Sequence, residues 1–406
     1  MFLRFAFRNI RAYRKRTVIT VLLTTLTTAL FVFATAWMDG SHQTMIQNAV
    51  EIYPGYIQIT GRAFRDTPSY DHLIFNVNSV SHILEQNKDI DAFAARFESY
   101  VLFSAGDKAV GGMLTGIEPE REKRLSRLFS SRTQGDYLNN NDTNLVYIGI
   151  ELAGRLRVQV GDELAFVGSG ADYSFAADNL RVKGIFQTGL YEFDANAAFV
   201  AKKYFDRMMA SANYATHIIV QPRRPRQSVR LAVTLGRALG PDYQVADWHQ
   251  TMAALVKAMQ LDSLFGYITL GIIFIVIFFV IMIYTLLSVF ARIREIGILR
   301  AIGTTPGEIL GLLLLESSVL SGASVVLGGL VGGAFAFYFH IHPLVFSGFE
   351  EQFKQYGLAV SAIPTSFEPL TIARDMTIMF ILSVISTLYP IFRINRYSPV
   401  EAIRHV

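Results

Sequence analysis

Four stretches of this 406-residue chain, 17–38, 263–290, 309–339 and 371–392, are long and apolar enough to cross a bilayer. A spanning helix needs about 20 mostly apolar residues for ~30 Å of hydrocarbon. Backbone polar groups in hydrocarbon must be satisfied within the segment, which makes each stretch helical. The fold class that follows is a membrane α-helical protein with four transmembrane helices in a 1+3 arrangement. A long polar block, 39–262, separates the first from the other three. The 51% hydrophobic content and mean hydropathy of +0.33 agree with membrane segments. Ala34-Thr35-Ala36 has the look of a signal-peptide cleavage site, but the apolar run before it exceeds the roughly 7–15 residues of a signal peptide. The first run therefore reads as an uncleaved anchor.

Lysine and arginine bias sets the orientation. Arg4, Arg8, Arg11, Arg14, Lys15 and Arg16 precede the first run, and no Lys or Arg follows it until Arg62. Arg292, Arg294 and Arg300 lie between the second and third runs, and Arg393, Arg396 and Arg404 follow the fourth. The segment 340–370 carries Glu350, Glu351 and Glu368 against Lys354. Both termini and the segment 291–308 are thus expected in the cytoplasm, with 39–262 and 340–370 outside it. Residues 1–16 carry an apolar stripe (Leu3, Phe7, Ile10, Tyr13) beside a basic one, as an interfacial helix does. Topogenic charges that happen to be helically spaced give the same pattern. The tail is 393–406.

The outward block is long enough for its own core and for two subdomains. Strand-like runs occur at 55–60, 144–150, 162–168, 180–186, 196–201 and 216–221. Helical patterns fall near 79–88, 118–130, 202–211, 227–239 and 247–262, so the block is mixed α/β. The last of these is expected to run unbroken from Asp247 into the second membrane helix. Segments 130–143 and 168–180 read as loops.

Function classes drop out one by one. No cysteine is present, which excludes disulfides and thiol chemistry. There is no phosphate loop, no HExxH and no GxSxG elbow. His340 and His342, two apart, diverge on a helix and suit an interface rather than a metal. The basic residues do not line one soluble module, so nucleic acid is not expected as a partner. The chain reads as a non-enzyme that binds no cofactor of its own.

Small residues recur in the third run. Ser324, Gly328, Gly332 and Ala336 are four apart, and Gly329 and Gly333 form a second pair. Such a stripe permits close helix approach. It suits either a dimer or gate interface or packing within one subunit. Glu316 lies two turns beyond Glu308, where an acid finds a partner, a cavity or the basic cytoplasmic rim. Thr17, Thr20, Thr24 and Thr28 share one face of the first run, where their hydroxyls can bond back to the backbone.

The stretch REIGILRAIGTTPGE, Arg294 to Glu308, is the most specific feature. Ile293, Ile296, Ile298 and Leu299 cannot all face water on a short helix. Arg292, Glu295 and Arg300 offer a polar face to a partner, and Gly297 and Ala301 leave a smooth strip. Gly303 followed by Thr304-Thr305-Pro306 ends one helix and starts the next.

REIGILRAIGTTPGEIL (294–310) resembles the cytoplasmic coupling motif of the FtsX-like permeases of ABC transporters, of the macrolide-exporter and lipoprotein-releasing type. RYSPVEAIRHV (396–406) is similar to that family's C-terminal pattern. Within the outward block, GIFQTGLYEFDANAAFV (184–200), TGIEPEREKRLSRL (115–128) and DWHQTMAALVKAM (247–259) resemble the lipoprotein-releasing branch. One departure stands out. The 168–180 segment, where that branch carries a carrier-recruiting hook, is short and lacks a proline-containing arm.

The resemblance implies a permease moved by a separate cytoplasmic ABC ATPase dimer, which would hold ATP and Mg2+. Arg292, Arg294, Glu295, Ile296, Gly297, Arg300, Ala301, Gly303, Thr304, Thr305 and Glu308 would couple the two. It further implies a second permease subunit, homodimeric or heterodimeric, in the bacterial inner membrane, in contact with membrane lipids. The implied work is mechanical extraction of lipoproteins from the outer leaflet, with a periplasmic carrier as a further candidate partner. Trp37, Met38 and Phe265 lie at a depth suited to acyl-chain entry. The family also implies two alternatives: adaptor-linked efflux or export, and a scaffold that controls a cell-wall hydrolase.

Overall fold

The computed structural model describes residues 14–345 and 362–394. The 1–16 interfacial helix, apart from its last three residues, and the tail beyond Ile394 lie outside the described residues, as does 346–361 within the outer 340–370 segment. Two compact units emerge. One holds the apolar helices (14–44, 259–345 and 362–394), and the other is the α/β domain from Met45 to Ala258.

Helix α1 (Arg14–Ile52) opens the chain and runs well past Met38, where the apolar character fades. At 1.5 Å per residue it is nearly 60 Å long, about twice the hydrocarbon thickness. The α/β domain then follows. Strand β1 (Ile57–Gly61), helix α2 (Val77–Glu85) and strand β2 (Ile90–Ala105) make a first split β-α-β unit. Next come β3 (Lys108–Ile117), the single-turn α3 (Pro119–Glu122), β4 (Arg132–Gly135), β5 (Leu145–Gly149) and α4 (Ile150–Leu156). The hairpin of β6 (Glu163–Ser169) and β7 (Phe175–Phe186) leads to α5 (Tyr191–Asn196), β8 (Ala197–Ala201) and α6 (Lys202–Met208). A second β-α-β unit closes the domain with β9 (His217–Pro222), α7 (Ser228–Leu239) and β10 (Tyr243–Asp247).

The strand order explains the two subdomains. Strands β10-β1-β9-β2 pair antiparallel throughout, a ferredoxin-like arrangement whose two halves are interrupted between β2 and β9. Helices α2 and α7 cover that sheet through Val80, Leu84, Leu231 and Leu235. The inserted segment builds its own core from Phe97, Phe103, Leu114, Ile148, Phe166 and Phe205, among others. Strand β2 belongs to both subdomains: Arg96 still pairs with His217 on β9, whereas Phe97 pairs with Gly116 on β3.

Several sequence expectations change here. The 168–180 segment is a hairpin with a turn at 170–174, because Gly170 and Ser174 close it and 175–180 continues as β7. Helix near 118–130 is limited to α3, beyond which i to i+3 bonds from Arg121 and Glu122 tighten the chain into turns. The run from Asp247 is not continuous. A short α8 (Trp248–Thr251) stops at Met252, whose φ of −117° and ψ of 42° are non-helical, before α9 (Ala253–Phe290) starts.

Arg96 and Glu122 form a fully buried ion pair where β2 changes partners, with Arg96 Nε 3.1 Å from Glu122 Oε2. Arg96 Nη1 also donates to the Tyr53 carbonyl, and its guanidinium lies 3.9 Å from the Tyr53 ring centroid. Beside it, burial holds the His217 imidazole below its ordinary 6.5, against a smaller opposing pull from Glu98. The folded domain therefore keeps His217 neutral where the unfolded chain would protonate it. Stability is complete above about pH 6.5 and is lost as pH falls below it. The apparent melting temperature should drop between pH 7 and pH 5, and His217→Gln should flatten that slope. An unchanged slope in the variant would remove His217 from the account.

After α9 the apolar unit continues with α10 (Ile293–Ala301) and α11 (Pro306–Ile341). A small antiparallel pair, β11 (Leu344–Val345) with β12 (Ala362–Ile363), precedes α12 (Pro369–Ile394). Four helices, α1, α9, α11 and α12, have membrane-spanning length and hydropathy. Each of the two small-residue rows on α11 is filled within the chain. Gly328 and Gly332 meet α1, where an added Cβ would stand 2.6 Å from the Thr25 and Ala29 carbonyls. Thr25 Oγ1 donates to the Ser324 carbonyl, 3.2 Å away. Gly329 and Gly333 face Met376 and Ile372 of α12. Ala336 is buried and its carbonyl accepts from Thr365. The dimer or gate reading of this stripe is therefore corrected, since a second copy could reach it only by displacing α1 or α12. Further along α1, Thr35 donates to Asp375 of α12, which also pairs with Arg374.

Candidate functional site

The segment between the second and third membrane helices folds as a short helix with a capped C-terminal end. Helix α9 stops at Phe290, and Ala291 and Arg292 bond back to Leu287 and Val289. Helix α10 follows at once. At its end the Gly303 amide donates to the Arg300 carbonyl (3.1 Å) and the Thr304 amide to that of Leu299 (3.0 Å). These paired bonds form a Schellman motif, and they place Gly303 at φ +101°, where a side chain is strained. Thr305 then caps α11 reciprocally: Glu308 Oε2 accepts from the Thr305 amide at 2.8 Å, and Thr305 Oγ1 accepts from the Glu308 amide. Two helices thus meet across four residues, 302–305.

The inner face of α10 is apolar. Ile293 and Ile296 pack against Val289, Ile309 and Leu313, which seat the helix on the ends of α9 and α11. Gly297 is buried on this side, so the smooth strip expected of Gly297 and Ala301 is not the outer surface. The outer surface instead presents Ala301 with Ile298 and Ile302, which are 50% and 75% exposed. Arg294, Glu295, Thr305 and Glu308 are exposed around them, and Arg300 and Thr304 are half-buried.

Arg292 departs most from expectation. It does not offer charge to a partner, since it is 8% exposed and turns inward. Its Nη1 lies 2.9 and 3.2 Å from the two carboxylate oxygens of Glu316. That pairing answers what an acid does nearly three turns into α11. The partner is 24 positions away, and the legible signal was a lone carboxylate in an apolar helix beside a basic turn.

At the other end of the unit, Met38 Sδ packs against Gly266, where an added Cβ would stand 2.8 Å from it. Phe265, next in the chain, is 66% exposed, and Trp37 and Met38 are half-buried. These three residues thus lie at neighbouring positions on α1 and α9. Among the described residues no group of three or more His, Asp or Glu side chains could hold a metal ion.

The FtsX-like permease C-terminal family matches residues 267–399, a span that contains the whole capped segment. Residues 267–399 form an FtsX-like permease C-terminal domain. The chain is 25% identical over 310 residues to the lipoprotein-releasing system transmembrane protein LolC of Xylella fastidiosa strain 9a5c, covering 74% of each chain. The LolC of Neisseria meningitidis serogroup B is 23% identical over 337 residues, covering 79% of this chain and 80% of that one. Among solved structures, the periplasmic region of MacB from Actinobacillus actinomycetemcomitans aligns over 52% of this chain and 97% of its own, with 15% identity and a TM-score of 0.39. The chain thus combines an FtsX-like permease C-terminal domain with four helices of membrane-spanning length and a mixed α/β domain between the first two.

Proposed function

We propose that this permease subunit uses a separate cytoplasmic ATPase dimer to extract lipoproteins mechanically from the outer leaflet of the inner membrane. The observation that carries the coupling half is the outward face of α10. Ile298 and Ala301 on α10, with Ile302 at its C-terminal cap, form an exposed apolar contact surface rimmed by charge. Water alone gives no reason to present it, and a protein partner does. Lipoprotein as substrate is supported by similarity to proteins named as lipoprotein-releasing.

In this reading the termini and α10 are cytoplasmic, and the domain from Met45 to Ala258 is periplasmic. ATP and Mg2+ are held by the ATPase, and this chain holds neither. The crossings at 44/45 and 258/259 fall inside helices α1 and α9. A second permease subunit has the broad exposed face of α9 available, including Ile268, Ile272, Ile275 and Phe279. Acyl chains would enter near Trp37, Met38 and Phe265.

The test is affinity purification of the full-length chain in mild detergent. An ABC ATPase and a trapped lipoprotein should co-purify, and Ile302→Glu should lower the ATPase yield by about ten-fold or more, as loss of a buried contact residue does. Undiminished ATPase capture by the variant would refute the docking face. An adaptor or a cell-wall hydrolase in place of lipoprotein would overturn the substrate assignment.

A further inference from the structure

Helix α10 is joined to α11 through Gly303, a positive-φ residue with no side-chain contact of its own. A lever attached only at such a point can swivel without moving what it is attached to. The chain provides a second attachment. Arg292, at the N-terminal end of α10, reaches Glu316, ten residues into α11 from Pro306, or about 15 Å along the helix. The same guanidinium faces Glu295 on the outer side of α10, with Nε 3.6 Å from Oε2. One side chain thus links a carboxylate on the docking face to a carboxylate inside the membrane helix.

The surroundings match a pair that has to hold while its helices move. A cavity of about 60 Å3 lies beside it, lined by hydroxyls from all four membrane helices: Thr20, Thr285, Ser317, Ser321, Ser383 and Thr387. Ser321 and Ser383 bond to each other across α11 and α12 at 2.7 Å. A polar space of that size accommodates a few water molecules, which lowers the cost of keeping two charges at this depth. Purely structural packing of α10 is already supplied by Ile293, Ile296, Ile309 and Leu313. The ion pair adds direction, because the two Arg292 bonds fix α10 against one particular turn of α11.

We infer that Arg292 and Glu316 are positioning residues which convert movement of α10 into movement of α11. This rests on the proposed coupling role of α10. Without the pair, the ATPase still docks on Ile298 and Ile302, but α10 is held to α11 only by the Gly303 joint and by apolar packing that fixes no single turn of α11.

The chain has no cysteine, so a single introduced cysteine reports on α11 without interference. Phe337→Cys, at a 48% exposed position near the far end of α11, supplies the probe. The full-length permease with its co-purifying ATPase is placed in lipid nanodiscs. Maleimide labelling rates are then compared without nucleotide and with ATP plus vanadate. The wild-type pair should show a nucleotide-dependent change in rate. Glu316→Gln should shrink that change by about ten-fold while the ATPase remains bound, and the swap Arg292→Glu with Glu316→Arg should restore most of it, as expected of a directly coupled pair.

Retention of the full change in Glu316→Gln would overturn the inference. So would loss of bound ATPase in that variant, which would make the pair part of the docking surface. Failure of the swap to rescue, with the ATPase bound, would place the effect in Glu316 alone and likewise overturn the paired role. If Ile302→Glu leaves ATPase binding intact, it is the coupling role itself that fails.

Discussion

Glu122→Ala is expected to cost the α/β domain about 3–5 kcal/mol, because it leaves the Arg96 guanidinium fully buried with its charge uncompensated. Both partners are 0% exposed, so water cannot reach the guanidinium without opening the junction between the two subdomains. Tyr53, just past α1, is held by the same arginine through its carbonyl and its ring. The loss should therefore appear first as loosening of the chain around Tyr53 and β2.

Denaturant unfolding of the full-length protein in detergent measures it, followed by fluorescence of Trp248 in a Trp37→Phe background. The double replacement Arg96→Met with Glu122→Leu should recover most of the stability, since a buried ion pair is often matched by apolar residues of similar volume. A single Glu122→Ala change below about 1 kcal/mol would mean that the pair is solvated in solution.

Gly332→Val should lower the stability of the apolar unit by about 1–3 kcal/mol or more, through overpacking against a backbone that cannot yield. A Cβ at this position stands 2.6 Å from the Ala29 carbonyl oxygen and 2.9 Å from Ala29 Cα, so α1 and α11 must separate to admit it. Close approach is what allows two membrane helices to hold together without a hydrophobic driving force between them. Gly333→Ala is the matched control one residue along. There the nearest atom is the flexible Ile372 Cδ1 at 3.6 Å, and the change should be nearly neutral. Thermal unfolding in detergent should rank Gly333→Ala near wild type and Gly332→Val well below. Equal melting temperatures would show that α1 does not pack on this face.

The contrast between these two glycines shows how far a pattern can be read. The spacing of small residues on α11 was visible in the chain, and so was the possibility of close helix contact. Which helix would fill each row was not, because spacing reports the shape of one surface and says nothing about its neighbour. The same limit applies to α10. Its C-terminal cap at Gly303 and the start of α11 at Thr305 and Glu308 are local, set within a few residues, and they could be read directly. Its inward arginine could not, since Arg292 finds Glu316 only once α9 and α11 lie side by side.

Strand β2 gave no clear signal for a different reason. Its residues 94–97 are buried on both faces, which removes the alternation that marks a half-exposed strand. Its hairpin partner β3 is rich in glycine, which weakens strand preference.

By itself, then, the amino-acid order determined the four spans, the long α/β block between the first two and the capped helix between the second and third. Each of these depends on hydropathy or capping chemistry within some twenty consecutive residues. Tertiary structure alone decided that one ferredoxin-like sheet is split by an inserted subdomain, and that α11 is filled by α1 and α12. It also decided that Arg292 serves Glu316 and Arg96 serves Glu122. Those outcomes depend on burial, which brings together residues 24 and 26 positions apart and makes an unpaired charge too costly to leave alone.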